Sequence, residues 1–141
     1  VLSKVSFRCK LSYLSSWIKL HTETYKLPQP IVEKVKKYAT PCAEENGLDH
    51  SVIFKVASGS VPDTEAGRKF IYCFTTAAGY VAEDGHMMVD KLAEILKGHP
   101  LQEQFRDALN KCNEMTKEDP YKTVMAMHHC FAERPPIRLL F

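Results

Sequence analysis

The chain has 141 residues, 45% of them apolar, with a formal net charge of +2 at pH 7. That length suits one domain, or one domain plus an appendage, able to bury about 70% of its unfolded surface, and no run of about 18 apolar residues is present to span a membrane as a helix. The charge is uneven: residues 1–22 carry Lys4, Arg8, Lys10 and Lys19 and no acid, so the rest holds more acids than bases and lacks the basic stripe that neutralises nucleic-acid phosphates.

Residues 1–22 set Phe7, Leu11, Leu14 and Ile18 at helical spacing among cations, the pattern of an amphipathic helix. Lys10 and the serines interrupt any apolar core of a secretory signal. Three readings stay open for this basic N-terminal extension. It is an extra helix or tail on the body, a remnant of processing or an appended segment, or an arm for a membrane surface or second subunit. Cys9 lies within it and is the candidate unpaired thiol among five cysteines. Composition alone leaves free thiols and a pair of bridges equally open.

The body, 23–141, opens with Pro28 and Pro30, read as a linker and a helix start. Ile31, Val35, Tyr38, Ala39 and Cys42 recur at three- and four-residue steps and form one apolar face. Pro41 falls inside that pattern and is expected to kink the helix or mark an irregular turn. Asn46-Gly47 supplies a left-handed stop. Asp49 can cap a second short helix through Val56 that turns Val52, Ile53 and Val56 inward. Gly59 to Asp63 is a turn, with Asp63 or Thr64 capping a third helix whose face is Phe70, Cys73, Phe74, Ala77 and Ala78. Gly79 ends it. Met88, Leu92, Ile95 and Leu96 make the face of a fourth helix, stopped at Gly98-His99-Pro100. Leu101, Phe105, Ala108, Leu109 and Cys112 make a fifth. Asp119-Pro120 caps a sixth that turns Val124, Met127 and Phe131 inward. Pro135-Pro136 breaks that helix before an apolar tail, Ile137 to Phe141. No segment alternates between hairpin turns, so the expectation is about six short helices and no sheet.

This pattern resembles the insect odorant-binding protein family, the pheromone- and general-odorant-binding fold. The resemblance runs from about Thr24 to Phe131. It is carried by Asn46-Gly47-Leu48, Ile53, Lys55-Val56, Gly59 and Val61-Pro62-Asp63, and by Ala82-Glu83-Asp84-Gly85 followed by Val89-Asp90-Lys91-Leu92. Members usually have six cysteines, paired first to third, second to fifth and fourth to sixth. Cys42, Cys73, Cys112 and Cys130 match the first, third, fourth and sixth. The family's spacing puts the absent second at Lys69 and the absent fifth at Tyr121. One bonded pair is thus missing and no partner in the body is orphaned, which resembles the four-cysteine, C-minus subclass. Four cysteines alone would allow three connectivities. The resemblance implies Cys42–Cys73 and Cys112–Cys130, each contributing roughly 3–4 kcal/mol by restricting the unfolded chain. It also implies more freedom where the third and sixth helices meet.

The fold implied is all-α, a compact array of about six short helices around an apolar cavity. By periodicity alone the inward residues simply fill a core; the resemblance makes them walls of a pocket. The candidate ligand-binding residues are Ile53, Val56, Phe70, Phe74, Met88, Leu92, Leu109, Met115, Val124, Met127 and Phe131. Thioethers adapt to varied ligands, and phenyl rings can stack or edge against them. Tyr38, Tyr72, Tyr80 and Tyr121 are candidate hydrogen-bond donors. The tail either lids the cavity or packs in an outer groove.

Metal chemistry is not expected. Adjacent residues such as His128 and His129 point about 100° apart on a helix and rarely share an ion. Placing Gly85 at the sixth position of a calcium loop leaves Tyr80, Ala82 and Lys91 at ligand positions. No Gly-rich phosphate loop, GxSxG or paired-carboxylate site is present. A histidine pH switch is more credible than a metal, although most of the six histidines are expected in solvent.

The resemblance therefore implies a secreted carrier in sensillum lymph or haemolymph. It would enclose a small hydrophobic molecule reversibly, perform no enzymatic step, need no cofactor and exist as a monomer or weak dimer. The alternative is an interaction module whose basic arm and apolar tail dock a membrane receptor, a membrane or a second subunit.

Overall fold

A computed structural model describes residues 23–141. The extension 1–22, with Cys9, lies outside the described residues. Six α-helices and two short strands follow in order: β1 Glu23–Lys26, α1 Gln29–Glu45, α2 Val52–Ser58, α3 Glu65–Ala77, α4 Val89–Ala93 with a 3-10 turn at Glu94–Leu96, α5 Gln102–Cys112, α6 Pro120–Glu133 and β2 Ile137–Leu140. The fold is all-α, with two disulfides and one minor sheet.

The helices start and stop where local chemistry directs. Pro30 occupies the first turn of α1, where a missing N–H leaves nothing unpaired. Thr64 caps α3 by accepting from the Gly67 N–H at 3.0 Å, and Asp119 caps α6 by accepting from Lys122 N–H at 2.8 Å. Asp49 does not cap α2, whose cap position is Ser51, two residues later; its carboxylate accepts from Ser51 N–H at 2.8 Å and orders the turn before the helix.

Helix α1 spans Pro41; burial of Cys42 and Ala43 and the bridge at Cys42 hold its last turn against the loss of the one backbone bond proline removes. Two local expectations are corrected. Ala77 is exposed on α3, whereas Gly67, Phe70, Ile71 and Phe74 form the buried face. The fourth helix is only five residues long, and Met88 stands before it.

The largest correction concerns the two ends. Glu23–Lys26 is a strand and not a linker, and against the expectation of no sheet it has a partner in the apolar tail, Ile137–Leu140. They pair as a parallel two-stranded sheet, with Glu23 opposite Ile137 and Tyr25 opposite Leu139, extended by Leu27 N–H donating to Leu140 O at 2.8 Å. Alternation puts Tyr25, Ile137 and Leu139 on the face packed against Leu96, Phe105 and Leu109.

Cys42 bonds Cys73 and Cys112 bonds Cys130, both with Cα atoms 5.8 Å apart. The first ties α1 to α3 and the second α5 to α6. Two apolar cores result. The larger joins α1, α2, α3 and α6 through residues such as Val35, Ala39, Val52, Phe70, Phe74 and Met125. The smaller joins the 3-10 turn, α5 and β2 through Leu96, Phe105, Leu109 and Ile137.

Candidate ligand cavity

Where the two cores meet, the side chains do not close the space. A cavity of about 380 Å³ remains, partly open to solvent. The larger core supplies Val35, Ile71 and Phe74 to its wall, and the smaller supplies Phe105, Leu109 and Ile137. Helix α2 adds Val56 and Ala57, and Gly59 follows them. Gly59 has a left-handed φ of 68°, and a Cβ there would lie 2.1 Å from the Ala132 Cβ. Its lack of a side chain therefore lets α2 end directly against α6. Helix α6 lines the cavity with Val124, Met127, His128, Phe131 and Ala132, and the chain end from Ile137 to Phe141 forms another side.

Of the eleven candidate residues, Val56, Phe74, Leu92, Leu109, Val124, Met127 and Phe131 lie on this wall. Ile53 and Phe70 do not; they are buried in the larger core, with the Phe70 ring stacked 6.3 Å from Phe74 one turn on. Met88 is 38% exposed, because its backbone N–H donates to Tyr80 O and holds it in the turn before α4. Met87 takes the wall position. Met115 is half-buried in the turn after α5 and is absent from the lining.

Among the candidate donors, Tyr80 lines the cavity. Tyr72 donates its hydroxyl to Glu83 O at 2.8 Å, and its ring meets Tyr121 edge-on at 4.8 Å. Neither they nor Tyr38 reach the wall. Periodicity already sets Ile31 and Ile95 on apolar helix faces, and it could have flagged Ile71, which shares the buried face of α3 with Phe70 and Phe74. It could not flag Leu27 or the β2 residues, whose place depends on pairing between distant segments.

The polar part of the lining is small: Ser58, Thr75, Tyr80, His128 and Arg138. Thr75 Oγ1 donates to Ile71 O at 2.6 Å, and Ser58 Oγ is bonded to Ser60 Oγ at 2.6 Å. His128 Nε2 is sealed from solvent and has no hydrogen-bond partner among the described residues. Burial, reinforced by His129 beside it, pushes the His128 pKa down from 6.5 to about 4, so the imidazole is neutral at neutral pH. Among the described residues no three or more His, Cys, Asp or Glu side chains converge as a metal would require. No helix among them is long and apolar enough to cross a membrane.

Residues 24–134 match the PBP/GOBP family. No curated protein sequence matches significantly. Several solved structures share the fold. Odorant-binding protein dmelOBP28a from Drosophila melanogaster aligns at 17% identity over 74% of this chain and 92% of its own, with a TM-score of 0.62. Odorant Binding Protein 7 from Anopheles gambiae, with four disulfide bridges and in complex with an azo compound, aligns at 20% identity over 75% and 86%, with a TM-score of 0.61. The fatty acid binding protein OBP56a from the oral disk of the blowfly Phormia regina aligns at 24% identity over 77% and 95%, also at 0.61.

Proposed function

The chain belongs to the PBP/GOBP family, and on that premise we propose that it is a secreted carrier that encloses a small hydrophobic ligand reversibly and performs no chemistry on it. The observation that carries this reading is the cavity itself: about 380 Å³ of space bounded by apolar side chains from both cores, with few polar groups. Sites of this size and character bind by apolar burial, with a few polar atoms fixing orientation. The ligands named for two similar structures, an azo compound and fatty acids, fit that chemistry. The seven candidate residues on the wall, with the β2 residues, would make the contacts. Odorants, pheromones or other semiochemicals are the intended cargo, and sensillum lymph or haemolymph the compartment.

We assign the chain to the four-cysteine subclass on two supports. Among the described residues, the cysteines form two bridges. Lys69, where a second cysteine would stand, instead pairs with Glu65 at 3.0 Å on the exposed side of α3. The division into an extension, 1–22, and a carrier domain, 23–141, remains part of the proposal. The interaction-module alternative is weaker, because the tail's Ile137 is fully buried and its end walls the cavity.

Displacement of a naphthylamine fluorophore from the oxidised protein tests the reading. A homologous series of alkyl ligands should gain about 0.8 kcal/mol, or roughly fourfold in affinity, per added methylene until the cavity is full. Failure of every apolar probe to bind folded protein would overturn it.

A further inference from the structure

We propose that the face where α2 meets the two-stranded sheet docks on an anionic lipid surface, so that an apolar cargo passes between bilayer and cavity at the point of contact. The docking goes beyond the carrier reading; only the transfer of cargo rests on it.

Two apolar side chains mark this face. Phe54 on α2 is 59% exposed and Leu140 on β2 is 46% exposed, the highest values for large apolar residues among those described. Phe141 joins them, since it follows Leu140 and sets its ring edge-on to Phe54. Cations surround the three. Lys55 follows Phe54 on the exposed side of α2. Lys26 stands opposite Leu140 in the sheet, and Arg138 shares the outer face of Leu140 by alternation. None of the three cations has an ion-pair partner among the described residues. Helix α2 carries no acid. Glu23, the one acid of the two strands, sits at the end of β1 away from Leu140 and on the opposite parity.

Phenylalanine and leucine ringed by lysine and arginine suit the boundary between headgroups and acyl chains, with the apolar groups in the boundary and the cations on the phosphates. A protein partner fits less well. A stable protein interface takes roughly 800 Å² from each side, and three apolar side chains do not furnish the buried core of such an area. A bilayer presents negative charge in every direction and needs no matching shape. The cavity also meets solvent here: the exposed members of its lining are Ser58, Arg138 and Leu140. An apolar cargo leaving between them into water would expose its surface, at a cost proportional to area; leaving into a bilayer, it would not. The extension 1–22, which joins β1 at Glu23, carries charge of the same sign.

The test is sedimentation of the oxidised full chain with vesicles of phosphatidylcholine alone or with about 30% phosphatidylserine. The parent should bind the mixed vesicles, bind phosphatidylcholine weakly, and release as salt is raised, because exposed charges are screened. Lys26→Gln with Lys55→Gln should weaken binding roughly thirtyfold, about fivefold for each cation removed near an anionic surface. Phe54→Ser should weaken it by about fivefold. None of these three residues lines the cavity, so naphthylamine affinity measured without vesicles should stay at the parent value and shows that each variant is folded. The inference is overturned if the parent does not bind the mixed vesicles, whichever protein or second copy Phe54 then contacts. It is also overturned if phosphatidylcholine alone is bound equally, or if either variant binds mixed vesicles as tightly as the parent, as it would were the extension 1–22 the sole anchor. Loss of naphthylamine binding by the parent would overturn the carrier reading and leave the docking intact.

Discussion

Replacing His128 by leucine should flatten the acid limb of the stability profile. In the unfolded chain this histidine titrates near 6.5; in the folded protein burial holds it down at about 4. Below 6.5 the unfolded state therefore takes up a proton that the folded state refuses. The sign follows: stability is fully present above about 6.5, is lost as pH falls, and stops falling on this account below about 4. Each pH unit inside that window is worth about 1.36 kcal/mol, so the parent should lose about 3 kcal/mol across it through this one side chain. The assay is urea unfolding of both oxidised proteins at pH steps from about 7.5 to about 4, compared by midpoint and slope. Carboxylates held below their usual range, such as Asp49 and Asp84 through hydrogen bonds to Ser51 and His86, are common to both proteins and cancel in the difference. Parallel profiles for parent and variant would show that His128 is not sealed as described, and would refute the reasoning.

Three further outcomes are expected. Gly59→Ala should destabilise by about 2–4 kcal/mol, since it combines a positive φ with a methyl placed 2.1 Å from Ala132 Cβ; Ala132→Gly in the same chain should recover the steric part, read by urea midpoint. Opening the Cys112–Cys130 bridge with paired serines should remove about 3 kcal/mol, measured the same way, with α1 and α3 still joined through Cys42–Cys73. In amide exchange, Leu27 and the β2 amides should exchange well before those of Phe70 and Phe74, because a lone two-stranded sheet is marginal in water; equal protection would contradict this.

Much of the helical body was legible because its signals are local. Thr64, Asp119-Pro120 and Asn46-Gly47 mark helix ends by side-chain and backbone chemistry within a few residues. Phe105, Leu109 and Cys112 fall on one face by period alone. The failures are non-local. The strands at Glu23–Lys26 and Ile137–Leu140 are four residues each and find one another with all the helices between them; neither has a hairpin turn beside it. Periodicity also could not distinguish Phe70, sealed in the larger core, from Phe74, one turn later and on the cavity wall. Both face inward, and only the position of the neighbouring helices separates them. His128 was expected among mostly exposed histidines, yet its i−4 and i+3 neighbours, Val124 and Phe131, already placed it on the inward stripe.

The cavity is bounded by parts of unlike strength. Both bridges lie within the helical shell, α1 to α3 and α5 to α6. Strand β2 has neither a bridge nor a second sheet neighbour among the described residues. It is held by the short ladder to β1, by Ile137 and Leu139 in the smaller core, and by Phe141 set edge-on against Phe54 at 5.7 Å. Ile137, Leu139 and Phe141 also line the cavity, so the contacts that hold the wall are the contacts a ligand would extend. A ligand that fills the space adds apolar partners to β2, and its departure removes them. The stability gained from a ligand that binds only the folded state, RT ln(1 + [L]/Kd), should fall most heavily on the strand that the sequence patterns left unrecognised.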